Sequence, residues 1–276
     1  MRLRPFVLGV ATAVAVLALA GPGSARAATT YAPASSATVH PGVQLFTNGA
    51  QCTANFIYTN GTDTYIGQAA HCSGTGGNTA TNGCTSGSLP IGTAVQITGA
   101  AHPGTLVYNS WLTMQGAREA DANTCAFNDL ALVRIDPADV GSVNPSVPYF
   151  GGPVGVGSGA INQGDTVYTY GNSELRGGVT QLSPKRGISV GDQGGGWSHG
   201  TYTVTPGIPG DSGSGLLDAT GHAHGILSTV ELAPLAGSNN FGDLSMELAY
   251  ANAHGFSVSL VNGDVAFTAA VLPPVA

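Results

Sequence analysis

The chain has 276 residues, 8 Lys+Arg against 15 Asp+Glu, a formal net charge of −7 and 42% apolar residues. An acidic chain of this kind repels nucleic acid and anionic membrane surfaces, which excludes functions that need a basic face. Only 8% of the residues are charged and 42 are Gly. The surface must therefore be built largely from Ser, Thr, Asn and Gly, while the apolar content is too high for a disordered chain.

In chain order, the first segment is a basic head, Met1-Arg2-Leu3-Arg4, followed by an apolar run over residues 6–20. Gly21-Pro22-Gly23-Ser24 breaks that run, and Ala25-Arg26-Ala27 offers a small-residue cleavage site. Residues 1–27 read as a secretory signal peptide, because the run falls short of the ~20 apolar residues that span a bilayer. The exported chain is expected to start at Ala28, outside the cell, as a monomer with no membrane or nucleic-acid partner. Loss of Arg2, Arg4 and Arg26 leaves it five basic residues against fifteen acidic ones. Residues 28–42 form a short N-terminal or propeptide segment.

From residue 43 onward, short β-rich runs alternate with Gly, Asn, Ser and Pro. Residues 43–46 are one such run. Residues 53–58 and 64–67 read as a hairpin across Thr59-Asn60-Gly61-Thr62, with Asn-Gly at the turn. Further strands are expected over residues 94–98, 105–108, 130–135, 166–170, 201–205, 215–217 and 226–230. Residues 243–251 break the cadence: an Asp cap precedes apolar residues at helical spacing, giving a late helix that ends near His254-Gly255. This pattern specifies an all-β chain with one or two helices. The strand pattern by itself suits one large sandwich or two packed six-stranded barrels. Residues 256–276 are a tail in which 257–261 and 265–267 could pair as an extra hairpin across Asn262-Gly263-Asp264.

The four cysteines, Cys52, Cys72, Cys84 and Cys125, are an even count in an exported chain, so two disulfides are expected; their number allows three connectivities. No C-x-x-C pair marks a metal site, and no metal or cofactor is expected. Of the histidines, His40, His102, His199, His222, His224 and His254 are expected on loops or the surface.

His71 differs from these because of what accompanies it. Ala69-Ala70-His71-Cys72, Asn128-Asp129-Leu130-Ala131-Leu132 and Gly210-Asp211-Ser212-Gly213 supply an imidazole, a carboxylate and a hydroxyl in that order. A serine hydroxyl becomes a useful nucleophile at neutral pH when an imidazole takes its proton. A buried carboxylate then fixes the imidazole tautomer and stabilises the imidazolium. The order His, Asp, Ser and the Ser214 after Gly213 do not fit the G-x-S-x-G pattern of the α/β-hydrolases.

These three blocks resemble the signature blocks of the chymotrypsin-like serine peptidases, in particular their secreted bacterial members, over residues 43–255. The resemblance implies two packed six-stranded antiparallel β-barrels with a boundary near residue 158 and a C-terminal helix. It implies a polypeptide substrate cleaved through an acyl-enzyme. In that reading Ser212 is the nucleophile, His71 the general base and acid, and Asp129 the group that orients His71. The N–H groups of Gly210 and Ser212 form the oxyanion hole. The resemblance also implies the pairings Cys52–Cys72 and Cys84–Cys125. It puts Ser228 next to Asp129 and makes Ser228, Thr229 and Val230 the strand that pairs with substrate. Pro206, Gly207 and Ile208 would line the specificity pocket.

The chain departs from the family in three places. No Ile-Val-Gly-Gly start supplies an amine for Asp211, which if buried needs a counter-charge or several N–H donors; the resemblance to some bacterial relatives implies an internal arginine. Arg118, Arg134, Arg176 and Arg186 are the candidates, with Arg118 or Arg176 preferred. No long pro-domain precedes residue 43. The disulfides usual around the pocket in animal relatives are missing, and Pro206 and Pro209 stiffen that loop instead. Without an Asp near Pro206, and without a His between Ile226 and Ser228, the resemblance implies neither basic nor glutamate specificity. Val230 narrows the pocket toward small or medium apolar side chains.

Overall fold

The computed structural model describes residues 29–77, 81–230 and 237–270. The signal-peptide reading, and Ala28, lie outside them. Contacts divide the chain into Met1–Thr30 and a compact unit, Tyr31–Ala276.

The strands are β1 (Gln44–Thr47), β2 (Ala50–Thr53), β3 (Ile57–Thr59), β4 (Thr64–Ala69), β5 (Ala94–Ile97), β6 (Gly104–Asn109) and β7 (Leu130–Arg134), with helices α1 (Ser110–Ala117) and α2 (Ala122–Phe127) between the last two. Then follow β8 (Thr166–Tyr170), β9 (Pro184–Gln193), β10 (Ser198–Thr203), β11 (Gly215–Asp218), β12 (Ala223–Val230), β13 (Asn239–Asp243), helix α3 (Leu244–Ala253) and β14 (Ser259–Leu260). They form an eight-stranded sheet in the order β14-β3-β4-β7-β6-β5-β1-β2 and a closed six-stranded barrel in the order β10-β13-β12-β11-β8-β9.

Local chemistry explains the turns. β1 and β2 are joined by Asn48-Gly49, both at positive φ (49° and 87°), which matches the twist of a two-residue hairpin. The expected strand over 53–58 is split, because Asn55 turns the chain: its Oδ1 accepts from Phe56 N (2.7 Å) and Tyr58 OH (2.9 Å). The Asn60-Gly61 turn forms as expected, with Asn60 Oδ1 accepting from Thr62 N and Asp63 N. Helices α1 and α2 were not anticipated. Asn109 caps the first through Leu112 N and Asp121 caps the second through Thr124 N.

β7 is buried on both faces, so its sequence is a continuous apolar run rather than an alternation. Ala131 and Val133 face the core of the first sheet, beside Leu45, Ile66 and Leu106. Leu130 and Leu132 face the other way, into a cluster with Phe56, Ile226 and α3 residues Leu244, Leu248 and Ala251. That second cluster joins the two sheets and seats α3 behind the start of β7. Each such Leu, Ile, Val or Phe side chain contributes about 1.5–3 kcal/mol by leaving water.

The first sheet has eight strands where a six-stranded barrel is expected, and one of the two extra strands comes from the tail. Ser259↔Thr59 and Leu260↔Tyr58 pair β14 with β3. The tail does not fold back as a hairpin. Phe256 stacks on Tyr108 (5.1 Å), Phe267 packs edge-on to Tyr168 (5.5 Å), and Asp264 accepts from Asn144 Nδ2 and Ser146 Oγ. These contacts hold residues 256–267 against both sheets and the loop between them.

Candidate active site

Strand register brings the first two groups together. Ala69 at the end of β4 pairs with Leu130 at the start of β7, so the residues just beyond, His71 and Asp129, meet. His71 sits in a 3-10 turn, Ala70–Ser73. Its N–H donates to Asp129 Oδ1 (2.9 Å), and its Nδ1 lies 2.6 Å from Asp129 Oδ2. Ser228 Oγ donates to the same Oδ2 (2.6 Å), as the resemblance implied. Asp129 is buried. A carboxylate held by these donors fixes the His71 proton on Nδ1 and leaves Nε2 as the proton acceptor. Burial of the ring opposes its charge, but the Asp129 charge and hydrogen bond outweigh it, and the His71 pKa is raised.

Behind Asp129 stands Glu247, on α3 and fully buried. Its Oε1 accepts from Asp129 N (2.8 Å). Burial above all, with the neighbouring charges of Asp129 and Asp243, pushes the Glu247 carboxyl well above its usual range. Its surroundings therefore favour the protonated form of this carboxyl behind the catalytic candidate. Sequence reasoning missed it, although Glu247 falls on the apolar face of α3 between Leu244 and Leu248, where a carboxyl needs a purpose.

Ser212 is held where the two sheets meet. Its carbonyl accepts from Thr53 N (2.8 Å), and the next residue, Gly213, donates its N–H to Leu227 O (2.7 Å). Gly213 has φ +86°, and a Cβ there would lie 2.8 Å from both Ala69 N and Thr53 O, so only glycine fits. Ser212, His71 and Asp129 line one cleft of about 540 Å³, together with the Cys52–Cys72 bridge, Trp111, Ile208 and Ser228 to Val230. No hydrogen bond joins Ser212 Oγ to His71 Nε2 among the described residues.

Both disulfides pair as the resemblance implied, Cys52–Cys72 and Cys84–Cys125. Cys52, His71 and Cys72 bring their ligand atoms within 4.8 Å of one another. Both sulfurs are bonded to each other, however, so neither has a thiolate to offer a metal.

Asp211 is wholly buried and its carboxylate is fully engaged. Arg176 Nη2 donates to Oδ2 at 2.6 Å, Lys185 Nζ lies 3.4 Å from the same oxygen, and Ser173 N and Ile208 N donate at 3.0 and 3.1 Å. Of the two preferred arginines, Arg176 is the partner. Arg118 instead occupies the left-handed cap of α1. Lys185 was not foreseen. Burial, and next the charge of Arg176, push its pKa down to about 8, against the pull of Asp211.

Of the six expected pocket residues, Ile208, Ser228, Thr229 and Val230 line the cleft, whereas Pro206 and Gly207 do not. Pro206 O accepts from Arg176 Nη2 (2.9 Å). Gly207 N donates to Asn239 Oδ1 (2.7 Å), and Asn239 Nδ2 donates back to Gly207 O (3.4 Å). That segment is drawn into the barrel by these polar partners. The expectation that His199 and His224 lie on the surface is also corrected, since both are buried. His199 bridges Asp192 (2.7 Å) and Asp243 (2.9 Å), which no spacing in the sequence announces.

No family model matches the chain, and no curated protein matches it in sequence. Solved structures do. Thermobifida fusca Protease A aligns at 20% identity over 82% of this chain and 100% of its own, with a TM-score of 0.50. A glutamic acid specific serine protease that uses a histidine triad in substrate binding aligns at 17% identity over 81% and 100%, with a TM-score of 0.51. A Glu endopeptidase aligns at 15% identity over 83% and 97%, with a TM-score of 0.50. With its closed six-stranded barrel, its second antiparallel sheet and the late helix, the chain has the chymotrypsin-like fold of these serine proteases.

Proposed function

We propose that the chain is an exported serine endopeptidase. One observation carries the reading: a buried carboxylate–imidazole pair (2.6 Å) opens onto the same cleft as a serine flanked by a glycine turn. Ser212 Oγ attacks the scissile carbonyl as His71 Nε2 takes its proton. Asp129 holds the imidazolium through Nδ1. The Gly210 and Ser212 N–H groups receive the developing oxyanion, a contribution of about 2.7–4 kcal/mol per donor in such sites. His71 returns the proton to the leaving amine, and water then releases the acyl group by the same route in reverse.

The substrate backbone has a place to bind. β12 pairs with β11 only as far as Ile226↔Gly215, while β13 covers its other edge through Val230. Ser228 to Val230 thus offer a free edge beside Ser212 for an added strand. Among the described residues, the only acidic side chain lining the cleft is Asp129, and Asp129 is already engaged. Val230 at its rim narrows the cleft and favours small or medium apolar residues on the acyl side. Polypeptide is the substrate class, the acting form is a monomer, and two disulfides suit an oxidising compartment.

Reaction of the exported protein with a fluorophosphonate, followed by peptide mass spectrometry, tests this. Label on Ser212, lost in His71→Ala, is the expected result. An unlabelled Ser212 sinks the proposal. A chromogenic peptide panel cleaved fastest after Arg, Lys or Glu sinks the specificity.

A further inference from the structure

The loop that carries the oxyanion donors is a four-residue turn, Ile208-Pro209-Gly210-Asp211, closed by Asp211 N donating to Ile208 O (2.9 Å). Gly210 has φ +95°. Proline at the second position and a positive-φ glycine at the third make this a type II turn. The alternative type I turn keeps the same closing bond and differs by rotation of the central peptide, Pro209–Gly210. Glycine accepts either conformation. The rotation matters, because a trans amide points its C=O and N–H in opposite directions. One orientation presents Gly210 N–H to the cleft, and the other presents Pro209 O.

The turn itself does not hold the peptide firmly, but a neighbour does. Ser173 Oγ, on a buried residue behind the loop, donates to Pro209 O at 2.6 Å. Ser173 does not line the cleft, whereas Pro209 and Gly210 do. A bond to the carbonyl from behind therefore aims the N–H forward. The following carbonyl, Gly210 O, is held in turn by Thr53 Oγ1 (2.8 Å) and Gln51 Nε2 (3.0 Å). Ser173 is itself pinned: its N–H donates to Asp211 Oδ1 (3.0 Å), and its Oγ accepts from Leu175 N (3.2 Å) at the turn that leads to Arg176.

We infer that Ser173 is the positioning residue of the oxyanion hole, holding the Pro209–Gly210 peptide so that Gly210 N–H faces the substrate carbonyl. This rests on the peptidase reading above. Ser173 touches no substrate and acts through the peptide it holds. Its loss lets the peptide rotate and withdraws one donor for part of the time, so the effect is bounded by complete loss of a donor, about 10²–10³ in kcat.

The test compares Ser173→Ala and the matched pair Ser173→Thr and Ser173→Val, which differ in one hydroxyl, with the wild-type chain. Kinetics on a peptide ester are read beside two inhibitors: a peptidyl aldehyde, whose adduct carries the oxyanion, and a ground-state peptide. Ser173→Ala and Ser173→Val should lose about 10- to 100-fold in kcat and as much in aldehyde affinity, with KM and ground-state affinity within about threefold. Ser173→Thr should restore both to within about threefold. The acid limb of the pH profile should not move, because His71 is untouched. Should Ala and Val not accumulate folded, Ser173→Cys, a weak donor of similar size, is read the same way and is expected to fall between them and wild type. Wild-type kcat in the variants, or a loss of kcat without loss of aldehyde affinity, overturns the inference. If wild type itself fails to react with a fluorophosphonate, the peptidase reading falls instead.

Discussion

Arg176→Ala is the perturbation with the most to say about how this site is kept folded. Asp211 has 0% exposure, so its charge cannot turn to water. Arg176 supplies the shortest contact, 2.6 Å, and Lys185 the second, 3.4 Å. Removing one partner of a buried pair costs about 3–5 kcal/mol, because the other charge is left behind. Here Lys185 and the N–H groups of Ser173 and Ile208 remain, so the lower end applies, about 3 kcal/mol. That is a large share of the 5–15 kcal/mol that holds a typical domain together. Lys185→Met should differ sharply. It removes a cation whose burial is itself costly and leaves the Arg176 contact intact, so its cost should stay below about 1 kcal/mol. Urea unfolding of the two variants at pH 7 measures both numbers. Lys185 also carries a pH signature. Its folded pKa, about 8, lies below its unfolded value near 10.4. The penalty on the folded state is therefore full below about pH 8 and relaxes as pH rises toward 10.4. Removal of Arg176 takes away one cause of that depression, so the Lys185 pKa should rise in Arg176→Ala and the alkaline gain should shrink. Lys185 is the only lysine in the chain, so its side-chain carbon resonance reports this directly. Equal costs for the two variants, or a cost below 1 kcal/mol for Arg176→Ala, would refute the reasoning.

Three further outcomes follow from the same geometry. Activity needs neutral His71, whose pKa is raised by Asp129 against the effect of burial, so the acid limb of kcat/KM should lie above the ordinary histidine value of ~6.5; Asp129→Asn should move it lower and cut kcat by about 10⁴-fold, and an unmoved limb would count against the pair. Glu247→Gln keeps a neutral acceptor for Asp129 N–H, so activity should stay within about threefold. The wild type should lose stability as pH rises from ~4.5 toward the raised Glu247 pKa, and this fall should flatten in the variant; a tenfold loss of activity would mean that the carboxyl is needed ionised. Burial opposes charge on His199, but the hydrogen bonds and charges of Asp243 and Asp192 raise its pKa overall; its stabilising contribution is full below ~6.5 and is lost as pH rises through the folded value, so thermal unfolding of His199→Gln should show a weaker decline across that range.

Much of this molecule is written locally. The Asn60-Gly61 hairpin, the Asp243 cap of α3 and the apolar run of β7 are short-range patterns, and each element appears where its residues demand it. That His71 meets Asp129 and shares a cleft with Ser212 was legible as well, because three short blocks carry residue type and order in the chain. The β9 strand was not legible, since Ile188 and Val190 are the only large apolar residues at strand spacing from Pro184 to Gln193, and pairing with β8 and β10 holds the whole segment extended.

The partners of buried charge belong to the same class. Nothing near Lys185 or Ser173 in sequence points to Asp211 or Pro209, which lie 26 and 36 residues away. Nothing in α3 points to the N–H of Asp129, 118 residues upstream. Local pattern reflects dihedral preference and the period of apolar burial, both settled within a few residues. Where a buried carboxylate finds its cation, and which way a single peptide faces, depend on which distant backbones the packed sheets bring within 3 Å.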